Sequence, residues 1–286
     1  MKFSLPYRGL HLENPRKTAV PVLLSSPHSG RVYPEDFLET SCLPFRDLQQ
    51  SEDRFVDRLL EDTPDLGMTL LCAEFPRVWC DVNRDWREVD AHMFSPPPPA
   101  DEIISTAKVS AGFGVIPRSV SLGRQIYDRP LDLHEKEIRL ARAWLPYHES
   151  LSAILKEMHA RFGYAVLLEI HSMPPLPYAR SPEIVLGDVH GKSCHPDITT
   201  LVEDLFEERK YTVRRNIPYS GGYITQSYGH PQNNIHALQI EICRSLYLNT
   251  STLKENSGFS KTRKNITEIL KDFLSRAEMG LLSALG

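Results

Sequence analysis

Five short, predominantly apolar runs, at residues 20–26, 69–75, 164–170, 184–186 and 237–243, are set apart by longer stretches with apolar side chains every three or four positions. Runs this short, bounded by turn-forming residues, are what strands buried on both faces require. The intervening stripes predict helices. One holds Phe55, Val56, Leu59 and Leu60; a long one runs from Ile138 through Leu140, Ala141, Leu145, Leu151, Ile154 and Leu155 to Met158; the last holds Ile266, Ile269, Leu270, Phe273 and Leu274. Pro146 is expected to break or kink the long one. Strands alternating with helices imply an α/β fold, with helices on both faces of a mixed, largely parallel sheet. The whole chain, 1–286, parses as one domain. Residues 94–130, with Pro96 to Pro99, Gly112, Gly114, Pro117, Gly123 and Pro130, predict an insertion or loop that serves as active-site cover.

The charge balance narrows the partners. Thirty-three Lys and Arg against 37 Asp and Glu leave a net charge of −4, with no long basic run to displace counterions from a polynucleotide. Nucleic acid is therefore not an expected partner, and a small molecule is. Cys42, Cys72, Cys80, Cys194 and Cys243 form no Cys-x-x-Cys pair, so neither a disulfide framework nor a thiolate zinc cage is indicated. Residues 1–20 lack the apolar core of a secretory signal, and no stretch reaches the roughly 20 apolar residues a membrane span needs. The expectation is a cytoplasmic protein with no membrane partner.

Chemistry-bearing residues gather at the ends of the predicted strands. Pro27, His28, Ser29 and Gly30 follow the first run directly, and His171 and Ser172 follow the run at 164–170, where Met173, Pro174 and Pro175 stop the strand. Parallel strands that each deliver a histidine at the same end aim both imidazoles into one crevice. Two imidazoles and a carboxylate suit a divalent cation with a position left for water. Glu52, Asp53 and Asp57 can supply the carboxylate from a helix opening near Ser51, where they equally complement an N-terminus capped by that serine. Asp53 is the preferred ligand, with Asp57 on the same helical face. Gln239 and Glu241 alternate with Leu238, Ile240 and Ile242, so Glu241 is polar in a covered strand and is a candidate general base. Asn83 and Arg84, in the run Asp81 to Asp85, offer donors matched to a carboxylate, unless Arg84 pairs with Asp81 or Asp85. The stretch from Gly221 and Gly222 through Tyr223 to Thr225 lacks the context of a phosphate cradle and reads as a loop with an aromatic hydroxyl.

This pattern resembles the N-formylglutamate amidohydrolase family, within the zinc hydrolases that include metallocarboxypeptidases and the aspartoacylase and succinylglutamate desuccinylase deacylases. The resemblance runs from about residue 21 to 247. It rests on Pro-His-Ser-Gly ending at Gly30, Asp-Arg-Phe-Val-Asp-Arg-Leu from Asp53, Asp-Val-Asn-Arg from Asp81, His171-Ser172, Gly-Gly-Tyr-Ile-Thr from Gly221, and Gln-Ile-Glu ending at Glu241. It implies a three-layer carboxypeptidase-like fold and one Zn²⁺ held by His28, Asp53 and His171, a site type that other divalent metals also tolerate. It further implies an anchor for a substrate carboxylate at Asn83 and Arg84, and Glu241 promoting attack of water on an amide. The implied reaction releases a small acyl group, formyl first, from an N-acyl acidic amino acid; Arg118 or Arg180 would then meet the side-chain carboxylate, with Tyr223 nearby. Carboxypeptidase-like relatives place a Glu three residues after the first His, where this chain has Arg31. A peptide or cell-wall fragment as substrate, or metabolite binding without catalysis, are the other readings. The hydrolase readings depend on two imidazoles and an acid meeting at one point.

Overall fold

The apolar runs form the centre of a seven-stranded sheet. In this computed structural model, which describes residues 9–120, 123–177 and 181–277, the strands are β1 (Leu10–Glu13), β2 (Val22–Ser26), β3 (Thr69–Ala73), β4 (Ala165–Met173), β5 (Ile184–Gly187), β6 (Val213–Arg215) and β7 (Ile235–Cys243). Their order is β1-β3-β2-β4-β7-β5-β6. β3, β2, β4 and β7 run parallel, β1 is antiparallel to β3, and β5 is antiparallel to β7 but parallel to β6. The sheet is thus mixed and mostly parallel, and no helix among the described residues is long and apolar enough to cross a membrane.

Every residue of β2, β3, β4 and β5 is buried, because both faces are covered. On one face Leu23, Leu71, Leu167 and Ala237 pack with Tyr147, Leu151, Ile154 and Met158 of the helix Leu145–Phe162. On the other, Val22, Leu24, Leu168 and Leu238 meet Val202 and Leu205 of the helix Pro196–Glu208, and Ile266, Ile269 and Phe273 of the helix Phe259–Arg276. These are three layers, each strand sending alternate side chains to opposite helices.

Several local expectations are corrected. β4 does not stop before its histidine; it pairs residue by residue with β7 as far as Met173 opposite Cys243, and Pro174 ends it. His171 and Ser172 therefore stand within the strand, with His171 beside Glu241. Pro146 interrupts no helix: the widened turn Leu140–Trp144 precedes it and joins the helix Leu133–Arg139 to Leu145–Phe162. A wide π-type turn accommodates a residue that cannot donate its N–H. No helix opens at Ser51 either. Ser51 lies in a turn whose N–H bonds to the Leu48 carbonyl at 3.2 Å, Phe55 takes a left-handed conformation (φ 68°), and only Val56–Leu59 is helical. Asp53 consequently precedes the helix and shares no helical face with Asp57. Within 94–130, short turns such as Ala107–Ser110 are tied down by buried Phe94, Val109, Val115, Ile116, Val120 and Ile126.

Candidate active site

Two chain crossings and one turn build the cluster. His28 follows β2, His171 sits near the end of β4, and the turn before Val56 is pinned to the first by Asp53 N–H donating to the His28 carbonyl at 2.9 Å. Gly30 makes room for this: a Cβ there would collide with the carbonyl of Phe75. His28, Asp53 and His171 are all buried and offer donor atoms within 4.8 Å of one another. Asp53 Oδ2 lies 3.0 Å from His171 Nδ1 and 3.5 Å from His28 Nδ1, and the ring centroids are 4.8 Å apart.

The far side of each group is held. His28 Nε2 bonds to Asp81 Oδ1 at 2.7 Å, His171 Nε2 to Glu169 Oε1 at 2.6 Å, and Asp53 Oδ1 accepts from Ser172 Oγ and Arg244 Nη2, each at 3.1 Å. Imidazoles that face a common point with one nitrogen and a carboxylate with the other are oriented as metal ligands are. His28 Nδ1 supplies the decisive observation: it is buried, faces the cluster and makes no hydrogen bond. A buried polar atom left without a partner is costly, and a cation at this point would satisfy it. The residues present fit a divalent metal. Glu52, bonded to Tyr33 and Arg54, and Asp57, bonded to Arg31, point elsewhere.

The charges agree. Burial works against ionised Asp53, but hydrogen bonding to His171 holds its carboxyl well below the usual range. Asp81, also opposed by burial, is lowered by Arg77 and His28. Burial would lower His171, yet Glu169 and Asp53 raise it to about 10. Buried carboxylates that stabilise a proton on His171 stabilise a divalent cation in its place.

Glu241 stands beside His171 on β7, and its Oε1 accepts from Gln239 Nε2 at 3.0 Å. Burial pushes its carboxyl up to about 7. With His28, Asn83, Arg84, His171, Gly222 and Gln239 it lines a cavity of about 270 Å³. Gly222 closes one wall by approaching Asn83 too closely for any side chain, and donates its N–H to Gln239 Oε1 at 2.7 Å. Asn83 is spanned by protein contacts: Nδ2 donates to Glu169 Oε1 at 2.6 Å and Oδ1 accepts from Ile224 N–H at 2.8 Å. Arg84 donates to the carbonyls of Asn83 and Phe113 while lining the cavity.

The remaining expected residues are elsewhere. Arg118 is not in the cavity wall; its guanidinium pairs with Asp90 at 2.7 Å. Tyr223 opens the helix Tyr223–Tyr228 and packs on Trp144 and His148, leaving Tyr219 as the tyrosine that lines the cavity. Arg180 lies outside the described residues. Sequence reasoning missed Arg77 and Lys108 in the wall, and the orienting roles of Asp81, Glu169 and Arg244. Glu169 could have been found, since it is the one acid in a run otherwise fit only for burial.

A histidine–carboxylate cluster at the carboxyl ends of parallel strands, next to a polar cavity with a buried glutamate, is the site of a hydrolase built on a mixed sheet between helices. The chain belongs to the N-formylglutamate amidohydrolase family, whose model matches residues 20–248, and is an amidohydrolase. It is 28% identical over 277 residues to N-formylglutamate deformylase of Pseudomonas aeruginosa, covering 91% of this chain and 95% of the relative. The N-formylglutamate deformylase of Pseudomonas putida is 28% identical over 236 residues, or 80% and 82% of the two chains. The crystal structure of N-formylglutamate amidohydrolase from Ralstonia eutropha superposes with a TM-score of 0.90 at 34% identity, covering 96% of this chain and 99% of that one.

Proposed function

We propose that the protein hydrolyses N-formylglutamate to formate and glutamate, using one divalent cation, zinc in the first instance, held by His28 Nδ1, Asp53 Oδ2 and His171 Nδ1. The observation that carries this reading is the unpartnered, buried His28 Nδ1 facing Asp53 and His171 beside a cavity edged by arginines. When bound, such a cation polarises the scissile carbonyl and makes water a better nucleophile at neutral pH.

The chain's own groups do the rest. Asp81 and Glu169 keep both imidazoles in the tautomer that leaves Nδ1 free to coordinate. Glu241 accepts a proton from the attacking water and returns it to the departing nitrogen, so the C–N bond breaks with an amine rather than an amide anion leaving. A carboxyl raised to about 7 suits that exchange at neutral pH. Arg84 and Arg77 receive the α-carboxylate, and Asn83, committed to Glu169 and Ile224, fixes the Arg84 turn against the cluster. Anchoring one end of the substrate holds the formamide over the metal position.

The test is a substrate panel of N-formylglutamate, other N-acyl amino acids and short peptides, run on protein as purified, after chelation, and after zinc is restored. Hydrolysis of N-formylglutamate above the others, lost with the metal and regained with it, supports the reading. Preferential cleavage of peptides, or full activity after verified metal removal, refutes it.

A further inference from the structure

Three cations edge the inner cavity: Arg77, Arg84 and Lys108. The two arginines are tethered. Arg77 Nη2 donates to Asp81 Oδ2 at 2.8 Å, and Arg84 donates to the carbonyls of Phe113 and Asn83 at 2.9 and 2.6 Å. The ammonium of Lys108 makes no hydrogen bond or ion pair among the described residues, although its neighbours include the charges of Arg84, Arg77, Asp81 and Glu88. Its backbone is nonetheless fixed. Lys108 lies on the turn Ala107–Ser110, which is capped by Thr106 accepting from Val109 N–H at 3.2 Å and anchored by buried Val109. A positioned main chain thus carries an uncommitted, solvent-facing cation to the edge of a cavity that already holds two others.

We propose that Lys108 is the specificity-determining residue of this site, receiving the side-chain carboxylate of a dicarboxylate substrate whose α-carboxylate is held by Arg84 and Arg77. The inference rests on the dicarboxylate reading given above. The division of labour follows from chemistry: a tethered guanidinium is a rigid, planar partner for one fixed carboxylate, whereas an ammonium on a four-carbon stem follows the more variable end of the ligand. It also assigns work to the 94–130 segment, which supplies the discriminating charge from outside the strand ends that hold the cluster. Because Lys108 faces solvent, screening limits its effect.

The experiment compares kcat/KM for N-formylglutamate with that for N-formylglutamine, its isostere with a neutral side chain, in the wild type and in the Lys108→Met, Lys108→Glu and Lys108→Arg variants. Glutarate binding is measured by calorimetry alongside. Lys108→Met lowers the glutamate-to-glutamine preference about tenfold, chiefly through KM, and weakens glutarate by a similar factor; Lys108→Glu lowers the preference further, and Lys108→Arg restores most of it. An unchanged preference and unchanged glutarate affinity in correctly melting Lys108→Met and Lys108→Glu proteins overturn the assignment and leave the deformylase reading standing. A wild type that does not prefer N-formylglutamate overturns both.

Discussion

Asp81 and Glu169 show how much of a site's chemistry lies one residue away from it. Each grips the outer nitrogen of one histidine, at 2.7 and 2.6 Å, and neither reaches the point where the donors converge. Removing such a grip loosens tautomer and orientation together, so Asp81→Asn is expected to weaken zinc 10- to 100-fold in a chelator competition, with the fold retained. Glu241→Gln is the complementary case: bound metal stays stoichiometric while kcat falls roughly 10²- to 10⁴-fold. Its pH signature has a definite sign. Glu241 works as a base only when ionised, so kcat/KM rises tenfold per pH unit below the carboxyl pKa and levels off above it. The metal-free carboxyl titrates at about 7; an adjacent cation favours the ionised form, so the rising limb in the holoenzyme falls at or below about 7. A limb centred above pH 8 contradicts the role. That His28, His171 and Glu241 meet at one cavity was legible because strand ends and alternation specify positions in space, whereas Asp53 was reached through a helix that does not open there. Arg77 and Lys108 were not, since an irregular connection carries no period from which a side chain's neighbours can be read.

At the scale of elements, the buried strands were legible from their composition, whereas the edges were not. β1 and β6 are short, partly exposed and mixed in polarity, so nothing in Leu10–Glu13 or Val213–Arg215 separates them from loop. The Asp53 turn was misread because Ser51 and the following acids imitate a capped helix, while the left-handed Phe55 that delays the helix leaves no mark in a pattern of polarity. His148 links two helices and a turn. From the helix Leu145–Phe162 it bonds to the Val82 carbonyl at 2.8 Å and to Tyr228 Oη at 3.0 Å. Burial lowers its pKa from 6.5 to about 4. Above pH 6.5 it is neutral in both folded and unfolded chains and has no effect on the balance. Below that the unfolded chain takes up a proton the folded one refuses, and stability is lost as the pH falls toward 4, by up to about 3 kcal/mol. Urea titrations from pH 7 to 4 should show that loss. His148→Gln starts less stable and shows a shallower decline; an equal decline in both proteins assigns the acid sensitivity to other groups.

For the molecule as a whole, the sheet assembles the cluster, and a cation bound there would in turn add to the stability of the sheet. The buried carboxylates around His28 and His171 repel one another less once a cation neutralises them, so metal that binds only the folded chain stabilises it by mass action, by about 4 kcal/mol at a thousandfold excess over Kd. In a thermal scan, zinc added to chelated protein should raise Tm on the order of ten degrees, and the Asp53→Ala protein should respond far less. An equal response from both proteins would place the stabilising metal elsewhere.

His28 and Asp53 are translated well over a hundred residues before His171, and β2 meets β4 only once both have been made. A ribosome-bound chain therefore presents only two of the three donors for much of its synthesis. On the proposed metal reading, ion capture falls after that long-range pairing, so a cell short of metal should accumulate folded, empty enzyme that is rescued by later supply rather than lost during synthesis.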